Sequence, residues 1–428
     1  MSSCGLRWLR WVLTLLPILV VSSEGMMRRR VAAQGGDPSL VGQWGPLVQM
    51  GIEAIHTHVL PTGKVLMFGY HADEPGMDTP RIWDPDTGSF TLVSYTRNVF
   101  CSGHSFLADG RLFVTGGHID YGVGIADTAL FDPFALTWTR GPDMNAGRWY
   151  PTNTTLSNGE VLVVQGTIDQ VTTDDLPQVY NPATNTIRDL TSARLALWKF
   201  YPFMFVAPNG KVFEAGPSAT TGYLDTSGTG TWTSMGDTQS GWFREDGNGV
   251  MYDVGKVLIL GGGSSPPTAS AEVIDLNQPA PSWRSVSPMS IGRRYSNSTL
   301  LPDGKVLVTG GSCGSGTDNE TCAVLAAEMW DPAAETFATM ASASVYRGYH
   351  STAVLLPDAR VFVAGGDKSP TAYQIYSPPY LFRGARPTVS SAPTSMVYGQ
   401  TFFVGTPNAP NIAGVVWIRL GSVTHAFD

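Results

Sequence analysis

Residues 345–366, VYRGYHSTAVLLPDARVFVAGG, contain the pattern that decides the fold. A tight turn at Ala359 is followed by an apolar strand that ends in Gly-Gly. The same order of turn, strand and glycine occurs seven times along the chain, at a period of about 50 residues, and four of the seven strands end in Gly-Gly. The turn positions are Gly63, Gly110, Gly159, Gly210, Gly255, Gly304 and Ala359.

Each repeat has a second half that predicts two further strands. An aromatic-Asp-Pro turn and then another aromatic residue follow the Gly-Gly, as at Trp83-Asp84-Pro85 to Phe90 and Trp330-Asp331-Pro332 to Phe337. Period-two alternation and Asp-Gly or Asn-Gly turns indicate antiparallel hairpins. Because one four-stranded sheet cannot bury both of its faces, seven of them are expected to pack around a channel. The sequence therefore predicts an all-β fold, a seven-bladed kelch-type β-propeller.

The repeats also suggest how the chain is divided. The propeller is expected to span residues 40–380, and its seventh unit lacks a fourth strand, which residues 41–48 (VGQWGPLV) can supply. Residues 381–428 contain no repeat. Their two strand-like runs, QTFFVG and GVVWIRLG, predict the partial start of a second β domain, an immunoglobulin-like sandwich.

The N-terminal residues differ in composition from the rest. Arg7 and Arg10 precede an apolar run at residues 11–21, the layout of a secretory signal peptide, which we place with its flanking segment in residues 1–34. An N-terminal membrane anchor is the alternative, because the basic residues 28–30 could act as a stop signal. We expect export, no stable membrane association after signal removal, and a monomer. The net charge of −8 argues against binding to nucleic acid.

Export makes the four cysteines informative. Cys4 lies in the predicted signal peptide, and Cys313 and Cys322 flank one loop that they could close with a disulfide. Cys101 is left over. In an oxidising compartment such a thiol is either buried and inert or used in chemistry.

One position in each repeat brings reactive side chains together. The ninth residue before each turn position is Ala54, Cys101, Tyr150, Tyr201, Asp246, Tyr295 and His350. If the repeats surround an axis, these side chains converge on one small space. A thiol, several phenols and an imidazole at one place indicate a metal or redox site.

Five segments resemble the copper radical oxidases, the family of galactose oxidase and glyoxal oxidase. They are VFCSGHSFLADGRLFVTGG at 99–117, GRWYPTNTTLSNGEVLVVQG at 147–166, residues 345–366, IYSPPYLFRGARPTVSSAP at 375–393, and GSVTHAFD at 421–428. The resemblance covers nearly all of the chain after residue 40, and the five motifs occur in the family's order.

The resemblance implies a ligand set and a cofactor. Cys101 and Tyr150 resemble the pair that the family joins by a thioether bond into a radical cofactor. Tyr150 would also bind copper, Tyr349 would serve as axial ligand and general base, and His350 and His425 would be the imidazole ligands of a single copper ion. Two imidazoles and one or two phenolates suit Cu(II). In the family the histidine matching His425 is on a loop that reaches into the propeller channel.

The function implied is a secreted oxidase that converts small aldehydes or primary alcohols with O2 and yields hydrogen peroxide. No carbohydrate-binding domain precedes the repeats, as in the glyoxal oxidase branch. Two other hypotheses stay open. One is a non-catalytic kelch propeller that binds a glycan or a protein, and the other is a metal-dependent hydrolase with Asp246 as base.

Several other residues have two interpretations. Tyr201, Trp242 and Tyr295 are candidate pocket residues, although a tyrosine in a blade is commonly part of the core, and Asp246 is a pocket residue or merely polar. His56 and His58 alternate on one strand and are metal ligands or structural, whereas His71, His104 and His118 look like loop or strand-end residues. The family's indole over the radical tyrosine would fall near Ile168. Our hypothesis is that Trp198 or Trp242 replaces it.

Overall fold

Strands dominate the structure, a computed structural model that describes residues 36–69, 80–194, 200–263, 266–368, 371–397 and 399–425. The predicted signal peptide, His71 and Trp198 lie outside these residues. The helical segments in the described ranges are short: α1 at Pro38–Val41 and three 3-10 turns at Glu320–Cys322, Pro379–Phe382 and Ala409–Asn411. No described helix has the length and apolar character needed to cross a membrane.

The strands of the described residues form eight antiparallel sheets, of which seven are the blades and one is a separate two-stranded hairpin. Blade one contains β3 (His56–Val59), β4 (Val65–Phe68), β5 (Arg81–Trp83) and β6 (Phe90–Leu92), and blade two contains β7 (Gly103–Phe106), β8 (Leu112–Thr115), β11 (Thr128–Asp132) and β12 (Thr137–Arg140). Blade three contains β13 (Thr152–Thr155), β14 (Val161–Val164), β15 (Gln178–Asn181) and β16 (Thr186–Asp189), blade four contains β17 (Met204–Val206), β18 (Val212–Glu214), β19 (Thr220–Asp225) and β20 (Thr231–Asp237), and blade five contains β21 (Asn248–Asp253), β22 (Lys256–Leu260), β23 (Ala271–Asp275) and β24 (Arg284–Val286). Blade six contains β25 (Arg294–Leu300), β26 (Val306–Ser312), β27 (Ala326–Asp331) and β28 (Thr336–Ser342), and blade seven contains β29 (Ser351–Leu355), β30 (Val361–Gly365) and β31 (Ala372–Ser377). The predicted seven-bladed propeller is confirmed.

The apolar strands predicted from the Gly-Gly pattern are the second strands of the blades. β4, β8 and β14 are buried along their whole length because both faces of a blade pack on its neighbours. The hydrophobic clusters accordingly join residues of adjacent blades, as where Trp83 of blade one packs on Phe362 of blade seven. All seven turn positions have left-handed backbones, including the non-glycine Ala359 at φ 67°.

The ring closes as predicted, with N-terminal residues completing blade seven. β1 (Gln43–Trp44) and β2 (Val48–Gln49) both pair antiparallel with β31. The Trp44 indole packs on Tyr376 at 5.1 Å between ring centroids and donates a hydrogen bond to the carbonyl of Ala341 in blade six. The closing strand is therefore held by side chains as well as by the backbone.

A short strand from the C-terminal part lies inside the channel. β32 (Ser422–Thr424) pairs antiparallel with β3, with His56 opposite Thr424 and His58 opposite Ser422. The other C-terminal residues are largely exposed. The runs QTFFVG and GVVWIRLG form no ladder among the described residues apart from the bridge of Ser391 with Gly405, because neither has a neighbouring strand edge to pair with.

Charged groups are buried in several blades, and most of them are paired. Arg148 pairs with Asp174, Arg244 with Glu272 and Arg293 with Glu328, with all six side chains nearly inaccessible to solvent. Glu214 at the end of β18 is different. It is fully buried without an ion-pair partner among the described residues. Burial raises its pKa well above the ordinary range, and the nearby backbone amide of Gly216 acts weakly in the opposite direction.

We expect Trp44→Ala to lower the free energy of unfolding by about 2 kcal/mol, because it removes a partly buried aromatic side chain and its hydrogen bond. Chemical denaturation measures the change. Leu40→Ala is the control, since Leu40 is 63% exposed and its loss should cost less than about 0.5 kcal/mol. Equal effects of the two substitutions would contradict ring closure by Trp44.

Glu214→Gln should stabilise the protein at pH 7 by about 1 kcal/mol or more. A carboxyl whose folded pKa is raised costs stability once the pH exceeds its pKa in the unfolded chain, ordinarily 4.5, since only the unfolded chain then releases the proton. The gain should grow above that pH and vanish below it. Denaturation of both proteins at pH 4 and pH 7 tests this, and a gain that does not change with pH would contradict it.

Candidate functional site

Six of the seven ring positions identified by counting share an unusual backbone conformation. They are non-glycine residues with positive φ, which costs roughly 1–2 kcal/mol per residue for an ordinary side chain. The angles are 60° at Cys101, 69° at Tyr150, 40° at Tyr201, 55° at Asp246, 59° at Tyr295 and 64° at His350. Backbone strain that recurs at one place in six of the seven repeats is typical of a functional site.

Backbone hydrogen bonds between neighbouring blades support this conformation. The amide of Tyr150 donates to the carbonyl of Cys101 at 2.9 Å, and the amide of Tyr201 donates to the carbonyl of Tyr150 at 3.0 Å. The amide of Tyr295 donates to the carbonyl of Asp246 in the same manner, at 2.9 Å. Each of these residues is thus fixed at or just before the start of the innermost strand of its blade, at one end of the channel.

The structure brings together the four residues predicted as copper ligands. The hydroxyls of Tyr150 and Tyr349 are 2.5 Å apart, and the rings of His350 and His425 lie 4.7 Å apart between centroids. His425 also packs on Tyr150, at 4.4 Å between centroids. Pairing of β32 with β3 carries His425 to this end of the channel.

Burial controls the charge of these groups. It raises the pKa of the Tyr150 and Tyr349 phenols well above their usual value and lowers the pKa of His425 well below its own. Both phenols are therefore neutral at pH 7 unless a cation lies beside them, and His425 is a neutral imidazole. A neutral imidazole is the form that binds a metal ion.

Each imidazole presents one nitrogen to the site and uses the other for support. Nδ1 of His350 is 2.6 Å from Oδ1 of Asp367, and Nδ1 of His425 is 2.6 Å from Oγ1 of Thr424. The Nε2 atoms of both rings are buried and have no hydrogen-bond partner in the described residues. Two such nitrogens beside two phenol oxygens fit a tetragonal copper ion with N and O ligands.

The Glu53 side chain hydrogen-bonds the Asp367 carboxylate. Burial and the neighbouring Asp367 carboxylate raise the pKa of Glu53 to about 8, so that it is a neutral acid able to share its proton with Asp367. Ligand atoms of Glu53, Asp367 and His350 lie within 4.8 Å of one another, a spacing that could itself hold a metal ion. Because His350 Nδ1 is already hydrogen-bonded to Asp367, we interpret this group as the support of His350.

Cys101 is the free cysteine among the described residues, since Cys313 and Cys322 form the predicted disulfide. It is fully buried in one apolar cluster with Tyr150. Burial raises the pKa of its thiol well above the ordinary value, and a hydrogen bond with Tyr150 acts in the opposite direction. The contact places the thiol and the phenol side by side.

An indole stacked on Tyr150 belongs to Trp149 and not to Trp242, one of the two predicted alternatives, while Trp198, the other, lies outside the described residues. The Trp149 and Tyr150 rings stack at 3.8 Å between centroids with an interplanar angle of 9°. In an extended strand adjacent side chains point to opposite faces, which excludes such a pair. The left-handed backbone at Tyr150 removes that restriction, so the Trp-Tyr dipeptide at a ring position is the signal that sequence reasoning missed.

A cavity of about 460 Å³ opens beside these residues. Tyr201 and Tyr295 line it together with all four candidate ligands. Trp242 does not, contrary to its interpretation as a pocket residue. The amides of Gln239 and Ser240 donate to the Glu272 carboxylate and hold this loop against blade five, where the indole is 48% exposed.

Asp246 and the three other channel histidines have structural partners. Asp246 lines the cavity but pairs with Arg294, whose guanidinium lies 4.7 Å from the centre of the Tyr295 ring. Nδ1 atoms of His58 and His104 both lie within hydrogen-bond distance of Ser422 Oγ, and Nε2 of His56 accepts from the amide of Cys101. A second cavity, of similar volume, is lined by His104 and Ser422 and touches none of the four candidate ligands.

The fold and this ligand set define a class, and comparison with known proteins shows the family. Residues 81–219 and 262–381 match the family model described as "Glyoxal oxidase N-terminus". The chain belongs to this family and so to the copper radical oxidases.

Individual relatives agree with that assignment. A galactose oxidase of Gibberella zeae is 31% identical over an alignment of 434 residues that covers 91% of this chain, and the chain spans 63% of that relative's length. The aldehyde oxidase GLOX of Vitis pseudoreticulata is 26% identical over 91% of this chain and 86% of its own. A fungal alcohol oxidase solved in complex with copper superposes with a TM-score of 0.74 at 28% identity, covering 82% of this chain and 80% of the other.

We expect Asp367→Asn to weaken copper binding about 10- to 100-fold, because loss of such a support on a ligating histidine has that effect. Competition with a chelator of known affinity measures it. Asp358→Asn is the control, since Asp358 is also in blade seven but pairs with Arg360. Unchanged affinity in Asp367→Asn would contradict the orientation of His350 assigned here.

Proposed function

We propose that this protein is a secreted copper radical oxidase that oxidises small aldehydes or primary alcohols with O2 and produces hydrogen peroxide. One observation carries the proposal. Two buried imidazole nitrogens without partners face two phenol oxygens at the end of a propeller channel, beside an open cavity. Family membership and the copper-bound structural neighbour support it.

In this proposal Tyr150, Tyr349, His350 and His425 hold one copper ion. Copper bound there supplies one-electron redox chemistry and the positive charge that buried phenolates need. The residues otherwise act through position. Tyr349, whose hydroxyl lies 2.5 Å from that of Tyr150, is the base that takes the hydroxyl proton of an alcohol.

The radical is assigned to Tyr150 joined to Cys101. Formation of the thioether bond removes one hydrogen from the thiol and one from the phenol ring, and an oxidant such as O2 accepts them. The linked radical then takes a hydrogen atom from the substrate carbon. In sum a primary alcohol loses two electrons and two protons to become an aldehyde, and O2 gains them to become hydrogen peroxide.

The cavity favours small substrates. Its aromatic wall includes Trp149, Phe200 and Tyr295, and Asp246 and Arg294 form a polar edge. A planar or short-chain alcohol or aldehyde suits such a wall, and the paired Asp246 and Arg294 can hydrogen-bond a second oxygen of the substrate. We also propose the signal segment at 1–34, the propeller at 40–380 and the partial sandwich domain at 381–428 as the division of the chain.

The two rival functions make different demands on the same residues. A hydrolase needs a free carboxylate base, but Asp246 is engaged by Arg294. A non-catalytic kelch propeller does not require two unpaired imidazole nitrogens or a thiol beside a phenol. The geometry therefore favours the oxidase.

Tyr150→Phe should abolish the radical signal in electron paramagnetic resonance and reduce peroxide output to background, because the phenol oxygen is removed. Peptide mapping should also find no link to Cys101. The control is Tyr180→Phe, since Tyr180 lies in the same blade, donates its hydroxyl to Asn185 at 3.1 Å and is not among the residues that line the cavity. A copper-loaded wild-type protein with a free Cys101 thiol and no peroxide would rule out the oxidase and leave the binding propeller.

A further inference from the structure

A chain of aromatic rings leads from Tyr150 to the protein surface. Trp149 stacks on Tyr150 at 3.8 Å between centroids, and Tyr121 lies 5.3 Å from Trp149. Tyr150 and Trp149 are buried, whereas Tyr121 is 72% exposed. Two contacts therefore connect the buried phenol with a phenol in solvent.

The backbone holds the two outer rings in place. Tyr121 is in the turn between strands β9 (His118–Asp120) and β10 (Val123–Gly124), a hairpin that leaves blade two after β8. The amide of Arg148 donates to the carbonyl of Ile125, and the amide of Gly117 donates to the carbonyl of Arg148. The hairpin is thus joined by hydrogen bonds to the segment that carries Trp149.

The other rings that contact Tyr150 do not offer an equivalent route. Tyr201 and His425 are buried, and Phe200 is a phenyl ring, which is much harder to oxidise than a phenol or an indole. Tyr121 is the strongly exposed tyrosine among the described residues.

We propose that Tyr121 and Trp149 form an electron-transfer path between Tyr150 and one-electron oxidants in solution. In this path Tyr121 is the exposed residue that donates the electron to the oxidant. The inference rests on the proposed function, because it concerns how the Tyr150 radical is generated. Tyr121 also lines the cavity beside Tyr150, so the path adds a way of oxidising the buried phenol by an oxidant that contacts only the exposed Tyr121 side chain.

The electrons and protons balance along this path. A one-electron oxidant takes an electron from Tyr121. Trp149 then donates an electron to Tyr121, and Tyr150 donates an electron to Trp149. Tyr121 and Trp149 end unchanged, Tyr150 is oxidised by one electron, and the oxidant is reduced by one. In metal-free protein the phenol proton of Tyr150 passes across the 2.5 Å contact to Tyr349, which releases its own hydroxyl proton to solvent. Where copper holds Tyr150 as a phenolate, only the electron leaves.

Trp149 also has a proton acceptor for its transient oxidised state. Its indole Nε1 donates to Nδ1 of His118 at 3.0 Å. Burial lowers the pKa of His118, so the imidazole is neutral at pH 7 and its Nδ1 can take the indole proton. The proton can return along the same hydrogen bond when Tyr150 reduces Trp149.

The first test is the rate at which hexacyanoferrate(III) generates the radical in the copper-loaded full chain, followed by stopped-flow absorbance and electron paramagnetic resonance. We expect Tyr121→Phe to slow it roughly tenfold, the effect of a modestly higher barrier. Tyr252→Phe is the matched control, since Tyr252 also contacts a tryptophan, Trp330 at 4.7 Å, but is remote from Tyr150, and its rate should equal that of the wild type. An unchanged rate in Tyr121→Phe would overturn the path.

A second test does not depend on copper or on the proposed function. In metal-free protein, flash-generated tris(bipyridine)ruthenium(III) withdraws one electron, and mass mapping then locates oxidised products. We expect products at Trp149 and Tyr150 in the wild type and severalfold fewer in Tyr121→Phe. Equal yields would overturn the path. A wild type that forms no radical with copper but shows this difference would instead reject the oxidase and retain the path.

Discussion

The site depends on one constraint, the left-handed backbone at the start of each innermost strand. At Tyr150 this conformation lets the amide reach the carbonyl of Cys101 in the preceding blade, and it places Trp149 and Tyr150 with their rings stacked. The strain is offset by the blade-to-blade hydrogen bonds that the conformation permits. Seven copies of one repeat thereby become a ring in which a single position can carry a thiol, a phenol or an imidazole without altering the scaffold.

The charge state of the site follows from its burial. Without a cation, burial raises the pKa values of the phenols so that they remain protonated. The buried imidazole nitrogens then have no hydrogen-bond partner among the described residues, which costs free energy. A bound cation relieves both problems at once, since it stabilises phenolate and accepts the nitrogen lone pairs. Metal binding and the stability of this end of the channel are consequently linked.

Much of this was predictable from the sequence, and the exceptions have physical causes. Counting from the turn positions identified the ring residues because a repeat preserves register, and the blade closure by Trp44 followed from the missing strand. The indole on Tyr150 was missed because period-two alternation does not hold at a left-handed residue. The orientation of Trp242 and the support of His350 by Glu53 and Asp367 depend on loop conformations. The repeat pattern predicts strands and turns but does not predict these loops.

Placement of β32 within the channel has a consequence for the order of assembly. The strand that carries His425 follows blade seven in the chain, yet it lies inside a ring that residues 43–49 close against β31. The ring must therefore close around this strand, or the strand must thread through a finished ring. In either case His425 is synthesised after Tyr150, Tyr349 and His350, so an unfinished chain emerging from the ribosome holds an incomplete set of the candidate copper ligands.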